Sequence, residues 1–445
     1  MADTLRITDS QELIDILGTM QSDDTIEIQS DIQLDDRLIF DKTCVVNLNG
    51  HTISFSTSQP VTVKSKAKVT FRNGTITGTA DDLMYVSGDQ SMLTLADDLI
   101  VDAQGTAVNV SSKGKLCIEG ATLTGHGKYP TVSAKDKGSS VDMKDGSVIS
   151  ERDSGVVVRK GATLLVSQNC RVVTSCVEGN LEGNHPAVLA SDTSTDGTPA
   201  VVVITGGPEI ISEFTSALIL EKGAQCTLEN GTLMTNSMTH DCVVVSGQDT
   251  TFRMVGGQIT SSHTNGISVV GLSESQTCVV DVVGGKIDAP EGAVVSSEDS
   301  GSPDILVDGI TFSGTLDDKY VKAGFDPKDG QIINEPSDGD VTDVEPTPEP
   351  EPEPEVEPLP EPDADSGQHS ESVHVRYTQS IALIEPINVY IGPSLDARSN
   401  SVIGAIMLSG QQTVDAYGNV FEYVSYKLPG NGSRVFGFVL ERDVK

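Results

Sequence analysis

Val46-Asn47-Leu48-Asn49-Gly50-His51-Thr52-Ile53 and Val69-Thr70-Phe71-Arg72-Asn73-Gly74-Thr75-Ile76 are two copies of one phrase. An alternating apolar run meets an x-Gly turn, and a second short apolar run follows. The phrase returns as Val141-Asp142-Met143-Lys144-Asp145-Gly146-Ser147-Val148 and as Cys226-Thr227-Leu228-Glu229-Asn230-Gly231-Thr232-Leu233. Later copies are Phe252-Arg253-Met254-Val255-Gly256-Gly257-Gln258-Ile259 and Val282-Val283-Gly284-Gly285-Lys286-Ile287. The turn falls at Gly50, Gly74, Asp98, Gly120, Gly146, Asn169, Gly207, Gly231, Gly257, Gly285 and Gly309, mostly 22 to 28 residues apart. A strand-turn-strand unit repeated at such a period is the mark of a solenoid.

The two-residue alternation is that of a half-buried strand, and nothing in the repeat has helical spacing. Gly, Asn and Asp tolerate a left-handed backbone and so bend the chain between strands. A coil of about 24 residues with such turns predicts an all-β fold, a right-handed parallel β-helix of about twelve rungs, roughly 55 Å long. The Leu-rich consensus and Asn ladder of leucine-rich repeats are missing. The long step from Asn169 to Gly207 predicts an insertion over Cys176 to Gly197. Open solenoid ends expose unpaired strand edges and need covers. At the N-terminus Ser10 is the expected N-cap of a helix over Gln11 to Met20, whose Leu13, Ile14, Ile16, Leu17 and Met20 would cover the first rung. The other end is expected to close around Tyr320 to Ile333. The domains read from the sequence are a cap (1–22), the β-helix (23–333), an acidic linker (334–372) and a C-terminal domain (373–445).

The net charge of −36 is unevenly spread. Residues 334–372 carry 14 acids and no Lys or Arg, whereas residues 373–445 carry six of each sign. An acidic rod repels nucleic acid and anionic membranes, so neither is an expected partner. No secretory leader pattern and no run of about 18 apolar residues is present, so synthesis in the cytosol without a membrane span is expected. The seven cysteines follow neither a zinc spacing nor a disulfide framework and are expected to be free thiols. Cys44, Cys117, Cys226 and Cys278 fall in strand runs, whereas Cys170, Cys176 and Cys242 have no clear place. No metal site and no cofactor is expected.

Val344 to Pro362 reads VEPTPEPEPEPEVEPLPEP. Alternating Pro and Glu is incompatible with helix or sheet, so this segment reads as a stiff polyproline-type spacer of about 60 Å. Beyond it, short strands and turn signals (Gly392-Pro393, Tyr417-Gly418-Asn419, Pro429-Gly430-Asn431-Gly432) predict a small antiparallel barrel. Ile387-Asn388-Val389-Tyr390-Ile391-Gly392-Pro393-Ser394 resembles the opening LNVRSGPS motif of bacterial SH3 domains. Val402-Ile403-Gly404-Ala405-Ile406 is similar to that family's VIGTL strand, and Phe436-Gly437-Phe438-Val439 to its closing GYV. The family's central Trp is replaced around Val420 to Val424, and the loop from Lys427 to Ser433 is long. The resemblance implies an SH3-like barrel that binds peptidoglycan stem or bridge peptides of a bacterial cell wall; a host cell-wall or surface glycan is the expected partner of the C-terminal domain. Eight of the 18 Phe and Tyr residues lie in 373–445. Tyr390, Tyr417, Tyr423 and Tyr426 are the candidate ligand-binding residues, since aromatic side chains give large, stiff contact area.

Many parallel β-helices are polysaccharide lyases or hydrolases. Asp97-Asp98, Gly125-His126-Gly127 and Arg159-Lys160 occur in the order of the polygalacturonase motifs, but the upstream Asn-Thr-Asp is missing, and Asp97-Asp98 fills a turn register that explains it without chemistry. His51, His185, His240 and His263 fall in separate rungs without evident partners. Asp192 and Asp196 lack a third ligand for calcium. Catalytic residues are therefore not expected, and the protein is not expected to be an enzyme. An acidic rod, a stiff spacer and an SH3-like head resemble accessory virion proteins of tailed bacteriophages: head fibres, capsid decorations or tail-associated fibres. Such a protein would reside in the virion, bind a capsid or tail protein, and present its C-terminal domain to the host surface. A bacterial wall-associated adhesin and a polysaccharide-degrading enzyme are the alternatives. The oligomeric state stays open, a trimer included.

Overall fold

In the computed structural model, residues 3–334 are described apart from 59, 176–183, 272, 274–275, 298–302, 323–324 and 329–330. Beyond them the described residues are the strands Gln379–Tyr390, Ser399–Val414, Val420–Lys427 and Arg434–Leu440. The chain divides into two units, Met1–Val344 and Glu345–Lys445. Cys176, Tyr417, Ile391 to Ser394 and all of the acidic linker but Asn334 lie outside the described residues.

The first unit is a parallel β-solenoid of about twelve turns. Each turn lays down three short strands, and equivalent strands of successive turns pair in parallel. One turn, for example, contributes Cys44–Asn47, Thr52–Phe55 and Val61–Val63. These fall into a first, a second and a third ladder, separated by three corners. The first and second ladders join in one sheet because Lys115–Gly125 and Ser140–Ser150 run through the first corner without a break. The third ladder is a separate sheet of twelve strands among the described residues.

All eleven turn positions fall between a first-ladder and a second-ladder strand, at the first corner. Gly50, Asp98, Gly120, Gly146, Gly207, Gly231, Gly257, Gly285 and Gly309 have positive φ there. In the remaining two turns the preceding residue, Asn73 or Gln168, takes the left-handed conformation. The register stacks like on like. In the first ladder Ile26, Val46, Phe71, Leu95, Ile118 and Met143 lie above one another, and the column continues through Val166 and Ile204 to Val307. Every one of these side chains is buried in a single core. Burying a Val, Leu, Ile or Phe side chain contributes about 1.5–3 kcal/mol, so this repeated interior is what holds the rod together.

Both ends are covered. Thr4–Ile7 adds a further strand to the first ladder by pairing with Asp24–Ile28. The helix that follows, α1 (Ser10–Thr19), is capped by Asp9 rather than Ser10: Asp9 is extended, and its carboxylate accepts the Glu12 N–H at 2.9 Å. Ser10 is therefore the first helical residue. Glu12 reaches back to the Thr8 N–H at 2.8 Å, and Lys42 donates to the Met20 carbonyl at 2.8 Å beyond the helix end. Leu13 and Met20 are buried, with Ile14, Ile16 and Leu17 packed against the core. At the far end Tyr320 is buried and Val321 bridges Val307. There Phe325–Lys328 and Gln331–Asn334 form an antiparallel hairpin, with Gln331 opposite Thr311 of the second ladder. Reversing the strand direction stops the parallel ladder and blunts its edge.

The predicted insertion over Cys176 to Gly197 is not one excursion. Val188–Ser191 inside it is a regular third-ladder strand, paired with Val156–Arg159 and Leu218–Glu221. It is preceded by residues 175–187, of which 176–183 lie outside the described residues, and followed by an excursion, 192–199, at the third corner. The spacing of first-corner turns merges the two, because it counts residues without locating corners.

In the second unit the four strands pair antiparallel. Gln379–Tyr390 pairs with Ser399–Val414, which pairs with Val420–Lys427, which pairs with Arg434–Leu440. Tyr390 opposite Phe438 closes the set.

Candidate functional site

Val156 and Val158 face the core of the solenoid, so Val157 between them faces outward; yet it is only 3% exposed. Second-corner residues stand beside the third ladder and leave a groove of about 530 Å³ along it. Val157, Ser133 and Leu189 are among its apolar and small lining residues, and Asp82, Asn109, Tyr129, Asp153, Arg159 and His185 supply its chemistry. Asp82, Asn109 and Arg159 come from third-ladder strands, whereas Tyr129, Asp153 and His185 come from second-corner turns one rung apart.

Hydroxyls hold the second-corner wall. Ser150, Thr174, Ser212, Thr235 and Ser261 are stacked and buried just before that corner. Thr174 Oγ1 donates to the Asp153 carbonyl at 3.0 Å, and Thr215 Oγ1 to the His185 carbonyl at 2.7 Å. Ser212 with Thr215, and Ser261 with Thr264, share hydroxyl hydrogen bonds of 2.8 Å. Buried hydroxyls require such partners. The Ser-x-x-Thr spacing at 212–215 and 261–264, with Ser150-x-x-Asp153 before them, is the sequence signal for this wall.

Within the groove, Asp153 Oδ1 accepts the Ser154 N–H at 2.5 Å and faces His185 Nδ1 at 3.1 Å. His185 Nε2 is buried and has no hydrogen-bond partner among the described residues. Asn109 donates to Asp82 Oδ1 at 3.2 Å, and its own Oδ1 is likewise buried and without a partner among the described residues. Burial holds the Asp82 carboxyl above the usual carboxylate range, the Asn109 hydrogen bond opposing it. Arg159 makes no ion pair among the described residues. Sequence reasoning missed this groove, since it took His185 as partnerless. His51 also has a carboxylate, Asp31, at 3.5 Å, and His240 Nδ1 meets Thr239 Oγ1 at 3.0 Å.

The motifs that follow the polygalacturonase order are not brought together. Asp97 and Asp98 sit at the first corner with φ of 48° and 58°. His126 begins the second corner, directly after Lys115–Gly125. Arg159 ends a third-ladder strand and Lys160 opens the third corner. Asp192 pairs with Lys222 at 3.5 Å, and Asp196 with Lys137 at 2.7 Å. Among the described residues no group of three or more His, Cys, Asp or Glu is placed to hold a metal ion, and no helix is long and apolar enough to cross a membrane.

His126 instead bridges three rungs. Its Nδ1 lies 2.8 Å from Glu151 and its Nε2 3.1 Å from Asp102. The Glu151 hydrogen bond, with Asp102 adding to it, raises the His126 pKa above 6.5, against a desolvation that lowers it. A raised folded pKa stabilises fully below the unfolded value and is lost as pH rises through the folded one. The melting-temperature gap between the native chain and His126→Gln is therefore expected to be widest below pH 6.5 and to shrink at higher pH. A gap that stays constant from pH 5 to 9 would contradict this.

Six cysteines (44, 117, 170, 226, 242 and 278) are buried free thiols, Cys170 and Cys242 included. Burial pushes Cys44, Cys117 and Cys170 up to about 12 and Cys278 up to about 11, with Cys226 and Cys242 also raised. The thiolate is the reactive form. These six are expected to resist alkylation at pH 8 in the native chain and to react once it is unfolded, as peptide mass spectrometry would read. Labelling of Cys170 or Cys242 in native protein would count against it.

Of the C-terminal tyrosines, Tyr390 and Tyr423 are both opposite Phe438, in neighbouring strands, so the three positions form one row. Tyr426, three residues after Tyr423, is opposite Val435 and has the other strand parity.

No protein-family model, no curated protein and no solved structure matches this chain.

Proposed function

We propose that the protein is a non-enzymatic structural and adhesive component of a tailed-bacteriophage particle, a head fibre, capsid decoration or tail-associated fibre. The solenoid is the stiff mount, the Pro/Glu segment the spacer, and the C-terminal unit an SH3-like binding head directed at the host surface. The observation that carries this reading is the solenoid itself: about twelve stacked turns with a continuous core, covered by α1 at one end and by a hairpin at the other. The separation of the enzyme-like motifs onto three corners also supports a mount over a catalyst. Fold by itself does not assign function; the sequence resemblance of the C-terminal unit supplies the adhesive part.

Two measurements test it. The full chain should co-purify with phage particles from an infected culture. It should also bind purified host cell walls saturably, with loss in Tyr390→Ala or Tyr423→Ala. Absence from particles, or release of new sugar ends from wall or capsular polysaccharide, would overturn the reading.

A further inference from the structure

We propose that the third-face groove is a second recognition site, distinct from the C-terminal tyrosines, and that it binds a neutral linear oligosaccharide lying along the solenoid axis. Tyr129 is the stacking platform, and Asp82, Asn109, Arg159 and His185 are the polar contacts.

Shape is the first argument. The groove runs from the rung of Asp82 to that of Leu189, through strands in continuous register. Four rung steps at about 4.8 Å make roughly 19 Å. A site this long, repeating its backbone at each rung, suits an extended polymer better than a compact cofactor.

Chemistry is the second. Carboxylate, amide, imidazole, guanidinium and phenol groups alternate along one cleft. Together they offer donors and acceptors of both kinds, which match hydroxyls that donate and accept at once. An apolar ligand would leave these groups without partners. A polyanion is disfavoured by Asp82, Asp153 and the net charge of −36. Tyr129 is 36% exposed, so part of its ring is open to a ligand, with the Lys128 ammonium 5.6 Å from the ring centre.

Unmet hydrogen-bonding capacity is the third. Among the described residues Asn109 Oδ1 and His185 Nε2, both beside the groove, have no hydrogen-bond partner. Orphaned buried polar atoms are rare in folded proteins. A small rotation that turns either atom towards the groove gives it a ligand hydroxyl. The groove binds and does not cleave. Asp82 is three rungs from the register of Asp153, about 14 Å along the axis, whereas paired glycosidase carboxylates stand about 5–9.5 Å apart.

The test is calorimetric titration of the full chain with linear neutral oligosaccharides (glucan, mannan, galactan and chitin types) and with uronic-acid polymers as the counter-panel. Saturable binding to a neutral glycan is expected, weakened at least tenfold by Tyr129→Ala and by Asn109→Ala, and unchanged by Tyr390→Ala or Tyr423→Ala. Tyr129 is on the surface, so its variant should keep the native melting temperature. No neutral glycan bound, or binding insensitive to Tyr129→Ala and Asn109→Ala, overturns the site. Binding to uronic-acid polymers alone overturns the ligand class. Sensitivity only to the C-terminal tyrosines overturns the groove while leaving the adhesive head intact.

Discussion

Phe71→Ala is expected to cost about 3–5 kcal/mol of stability, the range for a fully buried phenylalanine. Phe71 is 1% exposed and lies in the first-ladder column between Val46 and Leu95. Its ring meets that of Phe40, from the third ladder, edge to face at 5.5 Å between centroids. The pair spans the interior from one face to another, so truncation removes apolar area and leaves a cavity that neighbouring rungs cannot fill. A solenoid couples mainly neighbour to neighbour. Hydrogen exchange should therefore show lost protection in Cys44–Asn47 and Met92–Ala96, while Val279–Val282 keeps its own. A stability loss below about 1 kcal/mol would mean that the column repacks, against the close packing expected of a core.

Gly146→Val is expected to be comparably damaging for a backbone reason. Gly146 has φ of +110°, and a Cβ there would stand 2.2 Å from the Ala121 carbonyl oxygen of the preceding rung. The left-handed conformation costs an L-residue about 1–2 kcal/mol, and forcing atoms into packed space about 1–3 more. Gly50→Ala is the control: φ is +84° and a Cβ meets nothing within 4 Å. It should lose only about 1 kcal/mol. Equal losses in the two variants, read by thermal or urea unfolding, would show that the contact with Ala121 yields at no cost.

What the sequence determined by itself is the coil. Strand alternation and left-handed turns arise within a few residues of chain, from the two-residue strand period and from backbone sterics. That is why all eleven turn positions lie at one corner, and why Gly74 and Asn169 missed the positive φ by only one residue. The covering helix was legible for the same reason, its N-cap displaced by one because Asp9 and Ser10 both have capping side chains.

Everything that involves two rungs was decided by the tertiary structure. His126 lies 24 residues from Asp102 and 25 from Glu151, and His185 lies 32 from Asp153. Whether such residues meet depends on the length of every turn between them, since register carries a residue to one corner or another. The same dependence sends Asp97, His126 and Arg159 to three corners despite their suggestive order. It also hides the strand Val188–Ser191 inside what reads as an insertion. The groove is the furthest consequence: its members are polar residues scattered over about a hundred positions, and only the closing of the coil sets them side by side.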